Sequence, residues 1–150
     1  MKKEDKKRIK AVIGKYIRDP HVQQMKEYIQ HGNVTTYSHV ISVVKMSFYL
    51  NKRLGLGADE EVLFTAALLH DFYLYDWHDK PLTDLHGYRH PYRAAENAKK
   101  IFDVNDKVYG AILTHMWPFT LFKLPKTKEA WIVCMADKLS SMAETLWLRK

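Results

Sequence analysis

Nine residues constrain this chain more than any others: Leu63-Phe64-Thr65-Ala66-Ala67-Leu68-Leu69 is an apolar helical run, and it ends abruptly in His70-Asp71. Burying an imidazole or a carboxylate without a partner costs several kcal/mol, so something must compensate that ending. Leu63, Ala67 and His70 stand at i, i+4 and i+7, which puts His70 on the stripe facing the core. Asp71 adds two oxygen donors where the helix opens into a loop. A single His-Asp pair of this kind is ordinarily a core histidine bonded to a neighbouring acid. The case for metal chemistry therefore has to come from other helices.

Length and charge narrow the setting. At 150 residues the chain suits one domain with a real hydrophobic core. The 24 Lys and Arg against 17 Asp and Glu give a net charge of +7, which favours anionic partners without choosing among them. The single cysteine, Cys134, lies in an apolar run, which argues against a disulfide framework and for core packing in a reducing compartment. The charged N-terminus has no apolar signal core behind it, and no run reaches the ~18 apolar residues of a membrane span. A cytoplasmic location is the expectation, and the Asn33-Val34-Thr35 glycosylation pattern is set aside on that ground.

The periodicity predicts helices nearly throughout. Ile9, Val12, Ile13, Tyr16 and Ile17 form the apolar face of a first helix whose lysines face solvent. A second helix is expected from about His21 to His31, closed by Gly32-Asn33, with both histidines in capping or surface roles. A third begins after Thr35-Thr36 and runs to about Leu54; His39, Val43, Met46 and Leu50 mark its inward stripe. A fourth starts at Asp59-Glu60-Glu61 and ends in His70-Asp71. Phe72 to Arg89 reads as a long ordered loop beside a site, rich in Tyr73, Tyr75, Trp77 and His86.

A fifth helix is predicted to begin at His90, as cap, with Pro91 in the first helical position. The sixth, about Lys107 to Met116, carries Val108, Ile112 and His115 on one stripe. The last runs from about Thr127 to Leu148; its Trp131 to Ala136 segment is apolar all round and is expected to be central, with Ala130, Val133 and Asp137 on one face. The fold class is thus all-α, with about six to seven helices, the N-terminal ones at about 4–31 packing on a core at about 36–147.

Four helices each present a potential ligand at an inward position: His39, the pair His70-Asp71, His115 and Asp137, with His90 adding a fifth place. A capping or core role explains any one of these. It does not easily explain all of them together.

In this order the residues resemble the HD superfamily of metal-dependent phosphohydrolases, in the subset with two extra histidines between the His-Asp doublet and the last aspartate. The resemblance covers about Thr36 to Glu144, and Pro91-Tyr92-Arg93-Ala94-Ala95 after His90 is similar to the second-metal helix of members acting on dinucleoside polyphosphates. It implies an orthogonal helical bundle in a single domain of 1–150. It further implies that His39, His70, Asp71 and Asp137 hold one divalent ion, and that His90 and His115 hold a second, with Asp71 bridging. His86, four residues before His90, is the rival for that ligand position.

Nitrogen and oxygen donors without thiolate suit Mn, Fe, Co, Ni or Zn. Four neutral imidazoles and two carboxylates around two dications leave a net charge of about +2, which attracts phosphate oxygens. A water bridging two such metals loses its proton near neutral pH and attacks phosphorus in line. The expected partner is therefore a phosphorylated, nucleotide-like small molecule, with Arg93, Arg89 and Lys80 as candidates for binding its phosphate and Tyr73, Trp77 and Trp117 for stacking on a base.

Two departures limit the transfer of substrate. Leu74 stands where many polyphosphate and cyclic-dinucleotide members have lysine, and Gly87-Tyr88 is followed by Arg89 rather than proline. Two other readings use the same ligands: a di-iron oxygenase on this fold, and a non-catalytic metal- or nucleotide-binding sensor. Dispersed lysines and arginines, without a recognition-helix pattern, argue against a nucleic-acid module, and the oligomeric state is open.

Overall fold

The apolar run at the heart of the sequence becomes the most enclosed helix of the fold. The structure, a computed structural model, describes residues 1–148; the last two positions of the expected 1–150 unit lie outside them. Seven α-helices and one small hairpin follow in order: α1 (Lys3–Ile17), α2 (Pro20–Gln24), β1 (Ile29–His31), β2 (Val34–Thr35), α3 (Thr36–Arg53), α4 (Glu60–Leu69), α5 (His86–Phe102), α6 (Asp106–Thr114) and α7 (Lys128–Leu148). The architecture is all-α, as expected.

Every residue of α4 from Val62 to Leu69 is buried, including Thr65. Helices α1, α3, α5, α6 and α7 all pack against it. Small Ala66 and Ala67 let neighbours approach closely, while Leu63, Phe64, Leu68 and Leu69 fill the space between them. Ile9 and Ile13 bring α1 into the same apolar cluster.

The helix starts follow from local chemistry. Thr35 caps α3 by accepting from Ser38 N, Asp59 caps α4 by accepting from Glu61 N and Val62 N, and Asn105 caps α6 by accepting from Val108 N. Because α4 ends at Leu69 and α6 at Thr114, His70 and His115 become the residues that close each helix.

Three expectations require correction. The second helix stops at Gln24, and the chain then forms a hairpin pairing Ile29 with Thr35 and His31 with Val34. Gly32, at φ 53°, supplies the left-handed residue of its turn, so Gly32-Asn33 is a hairpin tip and not a helix end.

Helix α5 begins at His86, one turn earlier than expected, after Leu85 at φ 51°. Pro91 thus lies inside the helix, where it offers no N–H to the Gly87 carbonyl. At Gly87 a Cβ would meet Phe119 Cε1 at 2.9 Å, so any other residue would have to push that half-exposed ring aside.

Finally, α7 packs against α3, α4 and α6 but is not buried all round. Ala130, Ile132, Val133, Ala136 and Asp137 face inward, but Trp131, Met135, Leu139, Met142 and Leu146 are exposed. An unbroken apolar run in sequence covered only one buried face.

Candidate metal centre

Five elements deliver six polar side chains to one buried point. His39 comes from the first turns of α3, His70 and Asp71 from the end of α4, His90 from α5, His115 from the end of α6 and Asp137 from the middle of α7. All six are buried, His39 and His70 completely.

The imidazoles are oriented alike. His70 Nδ1 donates to the Ala67 carbonyl at 2.8 Å, His90 Nδ1 to the His86 carbonyl at 2.9 Å and His115 Nδ1 to the Ile112 carbonyl at 2.7 Å. A carbonyl can only accept, so these three Nδ1 atoms carry the proton and the Nε2 atoms face the centre. His39 behaves similarly through a different acceptor: its Nδ1 lies 2.9 Å from Glu144 Oε2.

Around Asp71 the nitrogens divide into two pairs. Its Oδ2 lies 3.3 Å from His70 Nε2 and 3.8 Å from His39 Nε2, while its Oδ1 lies 3.3 Å from His90 Nε2 and 3.6 Å from His115 Nε2. Asp137 Oδ1 closes the first group, 3.1 Å from His39 Nε2 and 3.6 Å from His70 Nε2.

The residues fit a cation by a direct test. His70 Nε2 and Asp71 Oδ1 are buried without any hydrogen-bond partner, and His90 Nε2 faces His115 Nε2 at 3.0 Å. Two imidazole nitrogens whose Nδ1 protons are both committed present lone pairs to each other, an arrangement that a positive ion between them would resolve. The ligand atoms of His39, His70 and Asp137 lie within 4.8 Å of one another, as do those of His70, Asp71 and His115.

Without metal, protons balance the charges. Burial disfavours charge on His39, but hydrogen bonds to Asp137 and Glu144 overcome it and raise its pKa to about 9. His70 is likewise raised against burial, by the neighbouring Asp71 and Asp137. Both aspartates are held low in spite of burial, Asp71 by the charge of His70 and Asp137 by the hydrogen bond with His39 and the charge of His70. His115, by contrast, is pushed down to about 3 by burial and by the charge of His70, and His90 is lowered chiefly by burial. The surroundings therefore favour the charged form of His39 and His70 and the neutral form of His90 and His115.

His86 stands beside this group. Its Nδ1 is 2.8 Å from the Tyr75 hydroxyl, and its ring is stacked between Trp77 and His90, with centroid separations of 5.3 and 4.7 Å. Burial lowers its pKa to about 4.

The three basic candidates gather elsewhere. Arg93 grips both oxygens of Asp84, at 2.7 and 2.8 Å, and also donates to Tyr75 Oη; Arg89 lies 3.7 Å from Asp84, and Lys80 sits over the Tyr75 ring. Trp117 meets Trp131 edge to face, and Trp77 is occupied by His86.

Three further neighbours are Gln30, His31 and Glu144. Gln30 on β1 donates to Asp71 Oδ2 at 2.8 Å and accepts from the buried Tyr73 hydroxyl at 2.9 Å. His31 is no surface cap: its Nε2 lies 2.8 Å from Glu144 Oε2, beside His39. Glu144 follows Asp137 by seven residues on α7, a spacing that was available in the sequence, whereas nothing local marked Gln30.

An all-α fold that closes four histidines and two aspartates around a buried point defines a metal-binding class of protein. The HD domain profile matches residues 36–142, more than two thirds of the chain, and the chain belongs to the HD domain family. No curated protein and no solved structure matches it.

Proposed function

We propose that the chain is a phosphohydrolase with two divalent transition-metal ions, acting on a phosphoester or phosphoanhydride of a nucleotide-like substrate. The observation that carries this reading is the division of Asp71, one oxygen toward His39 and His70 and the other toward His90 and His115. A carboxylate so placed suits a bridge. His39, His70, Asp71 and Asp137 would hold one ion, and His90, His115 and Asp71 the other. When bound, such a pair supplies an activated water and stabilises charge on the transferred phosphoryl group.

The chain's own residues account for the rest. The Nδ1 contacts hold the four rings in place before any ion arrives, so little reorganisation is left to binding. Gln30 fixes the Asp71 carboxylate from the side of the hairpin. Arg93, with Asp84, holds Tyr75 and through it His86 against His90, which makes phosphate contact by Arg93 dependent on releasing Asp84. We read residues 1–150 as one unit working in the cytoplasm. Among the described residues no helix is long and apolar enough to cross a membrane.

The test is phosphate release from a panel of nucleotides and dinucleoside polyphosphates, with Mn²⁺ as the added metal. Release that needs metal and consumes no oxygen is expected. Oxygen uptake by the iron-loaded protein without phosphate release would replace this reading with the oxygenase. Nucleotide binding without turnover of any phosphoester would favour the sensor.

A further inference from the structure

Three of the four central histidines take their orientation from their own helix. His70, His90 and His115 each donate Nδ1–H to a carbonyl three or four residues back, so their rings are set by helical geometry alone. The fourth depends on a residue 105 positions away: His39 Nδ1 meets Glu144 Oε2, and His31 Nε2 meets the same oxygen. Residues 31 and 144 both lie outside the stretch matched by the family profile, 36–142. The contact joins the hairpin, α3 and α7 at one carboxylate.

We infer that Glu144 is a positioning residue: its carboxylate holds His39 with Nδ1–H turned outward and Nε2 turned toward Asp71 and Asp137, and His31 holds the carboxylate in place. The inference rests on the reading of His39 as a metal ligand. A carboxylate accepting from Nδ1–H makes the opposite nitrogen a stronger donor than a backbone carbonyl does, because it stabilises positive charge on the ring. Of the two groups around Asp71, the one containing His39 therefore has both a stronger and a more breakable support. Burial favours this role. The Glu144 side chain is 14 % exposed and that of His31 27 %, so water competes weakly for the shared oxygen. A tie that only fastened the hairpin to α7 would not need to pass through His39.

The test uses the full chain stripped of metal, titrated with Co²⁺ against a competing chelator and followed by the visible absorption of bound cobalt. The wild type should bind two ions. Glu144→Ala should weaken one of them by about 10- to 100-fold and leave the other within about threefold, as loss of an outer hydrogen bond to a ligand does. Glu144→Gln keeps an acceptor but no charge and should fall between. His31→Ala, which keeps the Glu144–His39 contact but loses the group that steadies the carboxylate, should weaken the same ion by less than Glu144→Ala does. Equal affinities in wild type, Glu144→Ala and Glu144→Gln would overturn the inference while leaving the metal reading intact.

A second readout separates the two. In the metal-free protein, ¹H–¹⁵N NMR of the histidine side chains should show a downfield, slowly exchanging His39 Nδ1–H that moves upfield in Glu144→Gln. If the wild type takes up no cobalt, the metal reading fails. The inference falls with it, even if the NMR signal shows the contact itself. If cobalt binds but that signal is missing from the wild type, the inference fails alone. Should Glu144→Ala not fold, Glu144→Gln carries both readouts.

Discussion

His90 and His115 confront each other Nε2 to Nε2 at 3.0 Å, each with its Nδ1 bound to a carbonyl of its own helix. Neither ring can turn to relieve the contact without giving up that bond inside a buried site, where an unmade hydrogen bond costs about 1–3 kcal/mol. The pair therefore suits the second ion of the proposed centre. His90→Ala should remove one of two bound metals and at least about a hundredfold of turnover, since a ligand and not its support is lost. His86→Ala should be milder in both, because that ring stacks between Trp77 and His90 and bonds Tyr75 without reaching Asp71 in an ion pair. Metal analysis and phosphate release on the two variants check this; the reverse order would exchange their roles.

Asp71 serves both halves of the centre, and its replacement is expected to be worse than any single histidine loss. Asp71→Ala should bind neither ion tightly and show no turnover. Asp71→Asn retains an oxygen and should keep partial metal binding, measured by the same chelator competition. Full activity in Asp71→Ala would remove the proposed mechanism.

Metal and protons compete for the same nitrogens, which gives a pH dependence with a definite sign. The His39 pKa is raised from 6.5 to about 9, so its contribution to the stability of the metal-free protein is fully present below 6.5 and lost as pH rises through about 9. His115 is lowered from 6.5 to about 3, so its contribution is present above 6.5 and lost as pH falls toward 3. The thermal midpoint of the metal-free protein should peak at about pH 6.5 and fall on both sides. Near pH 6.5, loading should release the protons of His39 and His70 together with one from metal-bound water, and fewer as pH rises toward 9. Calorimetry in buffers of different ionisation enthalpy measures that release.

Arg93 is engaged by Asp84 and Tyr75. Asp84→Ala should free the guanidinium and loosen the 73–85 loop, seen as faster limited proteolysis there. If Arg93 turns to substrate phosphate during turnover, KM should fall in this variant while Arg93→Ala raises it.

Much of this centre was legible because helical periodicity is a strong signal over long segments. His39, His70, His115 and Asp137 each occupied an inward register, and the structure buries all four. The hairpin was not legible. Strands of three and two residues are too short for alternation to register, so the sequence around Gln30 and His31 looks like the end of a helix. The start of α5 was misplaced because proline favours the first helical turn, whereas here Leu85, in a left-handed conformation, starts the helix one turn earlier. The exposed side of α7 was hidden by composition: Trp131 and Met135 look like core in sequence and lie at the surface. Glu144 escaped because an acid near the end of a long amphipathic helix ordinarily faces water.

Metal content per chain decides whether two ions bind at Asp71. Plasma mass spectrometry should be applied to protein purified without chelator, and again after reconstitution with Mn²⁺ or Co²⁺. Close to two transition-metal ions per chain are expected in the wild type, and close to none in Asp71→Ala. No metal in the wild type, even after reconstitution, would contradict the two-metal reading and leave the six buried residues as a proton-balanced core.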